Sequence, residues 1–399
     1  MPEYSKERPL GLAVSAKSRY YPGAYQRFGE ILYSRKTMKF SALTHSILLP
    51  CACMGLVSMA WAQGYEVTGT EDPSAPEFRV MGFGDISYIS KDASNLDGFV
   101  VGQAVAHLAA SLGNSFSVFG EFSATAKDSE YSFEVERMIV KYDFSDTFKL
   151  SAGRYHTPIG YWNSAFHHGA WLQTTTSRPE MIKFGSKLVP IHFVGLLLEG
   201  NIPVSNLGLT YKAGYGNGRH ANIARSGDAG DINGDKAWML QFNSRPKSIY
   251  GLEVGLGFYN DEVELETDPN VKESTISAHA AWTKESPEII IEFLHSEHES
   301  VIDSSDTGDV DAWYAQFAYR LKGDHEQWKP YLRFENQEID PTDPLLGSEG
   351  LDQEASILGV RWDFNPYAAL KAEYRNEEFN NGGRENNFRL QISFVLAKM

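Results

Sequence analysis

Alternation of apolar and polar residues is the feature of this sequence that most limits its fold. Between 250 and 259 every second residue is apolar and the residues between are mostly small or polar, and the pattern recurs at 207–216 and 386–397. Because successive side chains of a β-strand point to opposite faces, a period of two predicts strands. A soluble β-sandwich alternates in the same way, so the period alone does not choose between a sandwich and a barrel.

The number and spacing of the predicted strands favour a barrel. Short connections such as LGN, FSD and RPKSI alternate with mostly longer ones, including 157–191, 217–234, 298–309, 338–351 and 377–385. Sixteen strands are predicted at 77–90, 97–111, 115–126, 130–142, 147–156, 192–200, 207–216, 235–244, 250–260, 271–283, 286–297, 310–321, 327–337, 352–363, 367–376 and 386–397. An even-numbered meander with tight turns at one end and longer loops at the other is typical of outer-membrane barrels, whose closure leaves no sheet edge in lipid. The sequence therefore predicts an all-β fold, a 16-stranded antiparallel transmembrane β-barrel over 77–399, with short periplasmic turns and long extracellular loops.

The N-terminal region reads as a targeting signal. Residues 38–62 contain Lys39, an apolar run from Ile47 to Met59, and the sequence Ala60-Trp61-Ala62, which is the layout of a cleaved secretory signal peptide. Residues 1–37 are polar and rich in Tyr and Arg, so we interpret them as a non-native extension before a true start at Met38. Residues 63–76 are then a short periplasmic segment, and the cell outer membrane is the expected location.

Charge is distributed unevenly along the chain. Residues 63–399 carry 49 acidic and 28 basic side chains, which argues against a nucleic-acid partner. The stretch 154–192 is nevertheless basic: it has one acid, Glu180, and the candidate constriction residues Arg154, His156, His167, His168, Arg178, Lys183 and Lys187. A basic segment surrounded by a low-dielectric wall would concentrate anions. Alternatively, these cations pair with carboxylates of the wall and only anchor the segment.

A second group of charged residues falls on the predicted lumen face of the strands. Alternation places there Lys212, Glu253, Arg320, Arg333, Glu335, Arg361, Lys371, Glu373, Arg375 and Arg389. A cation facing lipid near the middle of the bilayer would cost about 2–4 kcal/mol, which favours the inward direction. The cations could form a ladder of weak anion sites, or a salt-bridge network with the interleaved acids.

Signals for metals, cofactors and catalysis are weak. Asp231, Asn233 and Asp235 match the first half of a calcium loop, but Lys236 stands where that loop needs Gly and Phe242 where it needs an acid. A solvated turn is the default interpretation, and no cofactor is predicted. The motifs G-x-S-x-G and H-E-x-x-H are absent, as are Walker and Rossmann patterns, so we predict that the chain is not an enzyme.

Over 77–399 the chain resembles Gram-negative outer-membrane porins. The segment GRYHTPIGYWNSAFHHG, after the fifth predicted strand, is similar to the start of the third loop of porins, which folds into the barrel. Its chemistry suggests a distant similarity to phosphate-selective porins. The resemblance implies passive diffusion of small hydrophilic solutes, leaning toward anions such as phosphate, with 157–191 as the pore constriction.

Outer-membrane lipid and small solutes are the expected partners, and the resemblance implies a homotrimer. Two other functions stay open. One is a phospholipase-like barrel hydrolase with a Ser/His pair, and the other is an adhesin or structural barrel whose lumen is filled and passes no ions.

Overall fold

The computed structural model describes residues 75–92, 97–127, 130–166, 168–219, 222–224, 227–231, 233–265 and 269–396. The predicted extension 1–37, the signal peptide 38–62, nearly all of the segment 63–76, and His167 lie outside the described residues. Within them, no helix is both long enough and apolar enough to cross a bilayer.

Sixteen antiparallel strands form one closed barrel. Each strand pairs with its neighbours in the sequence, and the last strand pairs with the first. The strands are β1 Glu77–Lys91, β2 Gly98–Leu112, β3 Phe116–Lys127, β4 Glu130–Ser145, β5 Phe148–His156, β6 His192–Ile202, β7 Leu209–Asn217, β8 Lys236–Ser244, β9 Leu252–Val263, β10 Val271–Thr283, β11 Glu288–Ser300, β12 Thr307–Ala318, β13 Trp328–Ile339, β14 Gln353–Asn365, β15 Ala368–Phe379 and β16 Arg384–Leu396. The predicted 16-stranded antiparallel barrel is thereby confirmed.

The two ends of the barrel differ in their connections. We call the end with the connections after even-numbered strands the turn end, and the other the loop end. At the loop end, β5 and β6 are separated by residues 157–191, which include the short helix α1, Trp162–Ala165, and two 3-10 turns. Some strand ends depart from the prediction: β12 ends at Ala318 rather than 321, and β11 continues to Ser300.

The two faces of the wall have opposite chemistry. On β13, Leu332 and Phe334 are 37% and 50% exposed, whereas the alternating Arg333 and Glu335 are 0% and 5% exposed. Exposed apolar side chains recur around the barrel, including the aromatic residues Trp238 and Trp313. Because lipid tails stabilise apolar side chains, the exposed face is the one suited to the membrane. Arg333 and Glu335 therefore point inward, where their partners must lie.

Candidate functional site: the loop inside the barrel

Residues 157–191, hereafter the inner loop, lie inside the barrel. Among their described members only Lys183 and Gly185 are exposed. The inner loop enters the lumen near β11, where the Glu292 carboxylate accepts hydrogen bonds from the backbone N–H groups of Tyr161 and Trp162, both at 2.7 Å. Gly160 has φ +68°, and a Cβ there would lie 2.3 Å from Glu292 Oε2. Glycine at this position therefore permits both the turn and the close approach to the carboxylate.

Carboxylates of the wall bind further backbone N–H groups of the inner loop. Glu373 on β15 accepts from the N–H of Thr176 at 2.9 Å and of Ser177 at 3.2 Å. Glu335 on β13 accepts from the N–H of Glu180 at 3.1 Å. These carboxylates compensate peptide donors that would otherwise be buried without water.

Cations of the wall bind the carbonyl oxygens of the same loop. The Arg333 guanidinium donates to the backbone oxygens of Ser177 and Arg178, each at 3.1 Å. Arg361 donates to the backbone oxygens of Trp171 and Gln173, at 2.6 and 2.8 Å, and Lys371 donates to that of Thr175 at 3.1 Å. Three of the cations expected to line the lumen therefore hold the inner loop in place.

The other predicted lumen residues lie beside charges of opposite sign or in the turn region. Arg375 donates to Glu335 at 2.9 Å and to Glu180 at 3.2 Å, and Arg245 donates to Glu253 at 2.8 Å. Lys212 on β7 is opposite Glu199 on β6, and Arg389 on β16 is opposite Glu373 on β15.

Arg320 departs from its predicted place on a strand. It lies in the connection after β12, where its guanidinium donates to Glu285 at 2.9 Å. Burial alone would raise the pKa of Glu285, but Lys329 and Arg320 hold that pKa below its ordinary value. The carboxylate therefore stays ionised at the turn end.

Cations predicted at the constriction have nearby partners too. Arg154 pairs with Asp228, Lys183 with Glu180, and Lys187 with Glu349. Arg178 stacks over the Phe184 ring, with 4.3 Å from Cζ to the ring centroid. His156 and His168 are buried next to Glu121, which lies on β3. The arginine and lysine partners Asp228 and Glu349 lie in other loops and Glu180 lies in the inner loop, so these cations are paired, but these carboxylates do not belong to the wall strands.

A hydrophobic cluster fills the lumen on the side of β6 to β12. Inner-loop residues pack there against inward residues of the wall; the cluster includes Ile182, Leu188, Val189, Ile191, Met239, Tyr259, Val271, Ile290, Leu294 and Val310. Apolar side chains pointing into the lumen are stabilised by leaving water, and the inner loop provides that burial. At its height, the inner loop therefore occupies much of the cross-section of the barrel.

A cavity of about 1210 Å³ opens below the inner loop at the turn end. Its lining holds six cationic side chains and five carboxylates, namely Arg245, Lys247, Arg320, Lys322, Lys329, Arg361, Glu253, Glu285, Glu288, Glu326 and Asp363. The near balance gives this vestibule a mixed polar surface rather than a strongly cationic one.

The predicted calcium residues form a turn. Lys236 Nζ donates to Asp231 Oδ2 at 2.9 Å, and the Asn233 side chain accepts from the Asp235 N–H at 3.0 Å and donates to the Glu262 backbone oxygen at 2.7 Å. An ammonium group already neutralises one of the carboxylates. The Asp231 carboxylate and the Asn233 side chain are thus both hydrogen-bonded to protein groups.

Sequence reasoning did not single out Glu288 and Glu292 on β11, which are central to the site. Glu288 contacts Thr174 of the inner loop at 3.2 Å and Lys329 of the wall at 2.8 Å. The signal was available, since both glutamates have the inward parity of their strand. Their partners in the inner loop were not visible, because these lie more than a hundred residues away in the sequence.

Comparison with known proteins identifies the fold. No protein-family model matches the chain, and no curated protein matches it. Among solved structures, it is similar to an anion-selective porin from Comamonas acidovorans, with 11% identity over 81% of this chain and 100% of that one, and a TM-score of 0.57. It is also similar to a loop-deletion mutant of OmpT, an outer membrane protein of Vibrio cholerae, with 18% identity, coverage of 82% and 100%, and a TM-score of 0.52. For the outer membrane channel DcaP of Acinetobacter baumannii the identity is 11%, the coverage 82% and 99%, and the TM-score 0.52.

These similarities confirm the resemblance to outer-membrane porins as a similarity of fold. The chain is a 16-stranded β-barrel protein of the outer membrane.

Proposed function

We propose that this chain forms a channel for the passive diffusion of small hydrophilic solutes, with the inner loop as its constriction. The observation that carries the proposal is the inner loop itself, which lies across a closed barrel whose inward face is charged. A polar lumen inside an apolar wall gives hydrophilic solutes a path through a membrane. The channel proposal includes the absence of enzymatic activity.

The proposal has a second part, which is that the channel prefers anions such as phosphate. The basic excess of 154–192 supports it, while the ion pairs of Arg154, Lys183 and Lys187 weaken it. The vestibule has one more cation than carboxylates. We therefore expect a modest anion preference instead of strict selectivity.

Reconstitution of the purified barrel in planar bilayers tests both parts. A salt gradient should give a reversal potential shifted slightly toward that of the anion, and liposome swelling should report uptake of small sugars and phosphate. A cation preference contradicts the anion part. Absence of conductance, both in the wild type and after replacement of residues 163–190 by a short Gly/Ser linker, contradicts the channel itself.

A closed structural or adhesive barrel is the second candidate. It is favoured by the burial of inward residues at the height of the inner loop, such as Leu294, Tyr314 and Lys371, all at 0% exposure. The same linker variant separates the two functions. Conductance present in the wild type and larger in the variant supports the channel, whereas conductance that appears only in the variant supports the closed barrel.

We further propose that residues 38–62 are removed as a signal peptide and that residues 1–37 are not part of the natural product. In the mature protein, residues 63–76 would form a periplasmic segment and the loop end of the barrel would be extracellular. N-terminal sequencing of protein purified from outer membranes should begin at Gln63.

A homotrimer is proposed as the assembly. Light scattering of the protein–detergent complex should then give a mass of three copies of the chain.

A further inference from the structure

Three donor-bearing side chains from different parts of the barrel meet on the side of β3 and β5. Glu121 lies on β3, His156 ends β5, and His168 belongs to the inner loop. One ligand atom from each lies within 4.8 Å of the other two, and all three residues are buried. We propose that Glu121, His156 and His168 bind a divalent transition-metal ion of the Zn²⁺ type inside the lumen.

The donor set suits such an ion. Two imidazoles and one carboxylate, with a further position left for water, are a common protein environment for Zn²⁺. Bonds of about 2.0–2.2 Å place the ligand atoms of a tetrahedral site roughly 3.3–3.5 Å apart. His156 Nε2 lies 3.6 Å from Glu121 Oε2, so these two donors need little movement to share an ion.

A neighbouring side chain orients one of the imidazoles. His168 Nδ1 lies 3.2 Å from Gln103 Oε1, while Gln103 Nε2 donates to Thr125 Oγ1 at 2.9 Å. Because Gln103 presents its oxygen, His168 Nδ1 carries the proton, and the lone pair that a metal ion would bind is on Nε2. A hydrogen bond of this kind behind a ligating histidine is typical of metal sites.

Competing contacts limit the affinity. Glu121 also contacts His107 Nε2, at 2.7 Å, and the Arg137 guanidinium. Glu136, with an oxygen 3.5 Å from His168 Nε2, adds a second carboxylate, and Arg178 adds a second cation near this histidine. The charges of the two carboxylates and the two guanidinium groups cancel, so the site has little net electrostatic attraction for a cation. The ion must therefore be held by its coordination bonds. We therefore expect weaker binding than in a closed structural zinc site.

An ion at this site would connect the inner loop to the part of the wall formed by β3 and β5, which is a different part from the one that carries Arg333, Arg361 and Lys371. His168 would be joined to β3 and to the end of β5, while the charged ties lie on β13 to β15. Metal binding is thus expected to stabilise the inner loop, because an ion that binds only the folded state raises its stability.

Titration of the untagged, folded barrel in detergent with Zn²⁺ and Co²⁺ tests the proposal. The wild type should bind one equivalent of Zn²⁺ by calorimetry and give the visible absorption bands of tetrahedral Co²⁺. His168→Gln and His156→Gln should each weaken binding at least tenfold. His295→Asn is the matched control, because His295 belongs to the other described group with metal-ligand spacing, together with Asp309 and Asp311, and should leave binding unchanged.

Three results would overturn the inference: a wild type that binds no Zn²⁺, binding that survives both inner substitutions, or binding lost in His295→Asn. Heat-modifiable migration on gels checks that each variant is folded. Should neither inner variant fold, X-ray absorption of the Zn²⁺-loaded wild type still decides, since two imidazole ligands support the site and an all-oxygen shell contradicts it.

Discussion

The inner loop contacts the barrel wall in two chemically different ways on its two sides. Toward β13 to β15, its backbone is held by Arg333, Arg361, Lys371, Glu335 and Glu373. Toward β6 to β12, it packs mainly through apolar side chains, and the charged ties on that side are the carboxylates of Glu288 and Glu292 on β11. The comparison shows that charge inside a barrel is not by itself a sign of a solute path, because buried peptide groups need the same side chains. Substitutions on each side should separate the two kinds of anchoring.

The largest effect is expected for Arg333→Met. Arg333 is fully buried and donates to three residues of the inner loop, so its loss removes one donor from Glu335 and the Arg333 donors from the backbone oxygens of Ser177 and Arg178. Removing one partner of such a buried pair costs about 3–5 kcal/mol. Urea unfolding of the barrel in lipid vesicles, followed by tryptophan fluorescence, measures the loss.

Arg333→Lys is the control for that substitution, because it keeps the charge and loses the planar fork of donors. Its destabilisation should fall between those of the wild type and Arg333→Met. Equal stability of all three proteins would show that the charged side of the inner loop contributes nothing to its anchoring.

On the apolar side, Leu188→Ala should cost about 2–4 kcal/mol, since it removes buried methyl groups and leaves a cavity. Leu188 is 2% exposed in the hydrophobic cluster. The same unfolding assay applies, and channel recordings should show more current noise if the inner loop loosens. A loss below that of a typical surface substitution would mean that this side of the inner loop is not packed.

An arginine on the outer face gives the reverse experiment. Leu358 is 64% exposed and lies on β14 directly opposite Leu332, the neighbour of Arg333. Leu358→Arg places a guanidinium group on the lipid-facing side of the wall. We expect the free energy of unfolding to fall by about 2–4 kcal/mol if the position is near the bilayer midplane. Leu358→Ala controls for the lost leucine, and an arginine variant as stable as this control would contradict the lipid-facing assignment.

The smallest effect is expected for Lys187→Ala. Its ion pair with Glu349 is partly exposed, with 30% and 34% of the two side chains accessible. Pairs of this kind contribute at most about 1 kcal/mol and weaken with salt. The free energy of unfolding measured at low and high salt should differ less for the variant than for the wild type. A destabilisation as large as that of Arg333→Met would contradict the distinction between buried and exposed ion pairs.

Most of the barrel was predictable because its determinants are local. Alternation on β9 and the Gly- and Pro-containing turns specify strands and their order without knowledge of distant contacts. Boundaries were less certain where alternation continues past the last pairing, as at Arg320 beyond β12. The direction of Arg333 followed from parity, but its partners in the inner loop did not, since they lie 155 to 158 residues away in a segment without regular periodicity. A sequence indicates that a cation points inward; only the folded loop shows whether a peptide group or a solute receives it.

The seam between β1 and β16 has a consequence for synthesis. Gly84 pairs with Phe394, and Gln391 contacts Ser87 across 304 residues of chain. The peptide groups on one edge of β1 can therefore form their hydrogen bonds only after β16 has been synthesised. Lipid provides no hydrogen-bond partners for them before that. A premature stop before β16 is expected to produce no smaller working version of the barrel, but an uninsertable intermediate left to periplasmic proteases. Quality control of this chain thus acts on its final thirteen-residue strand.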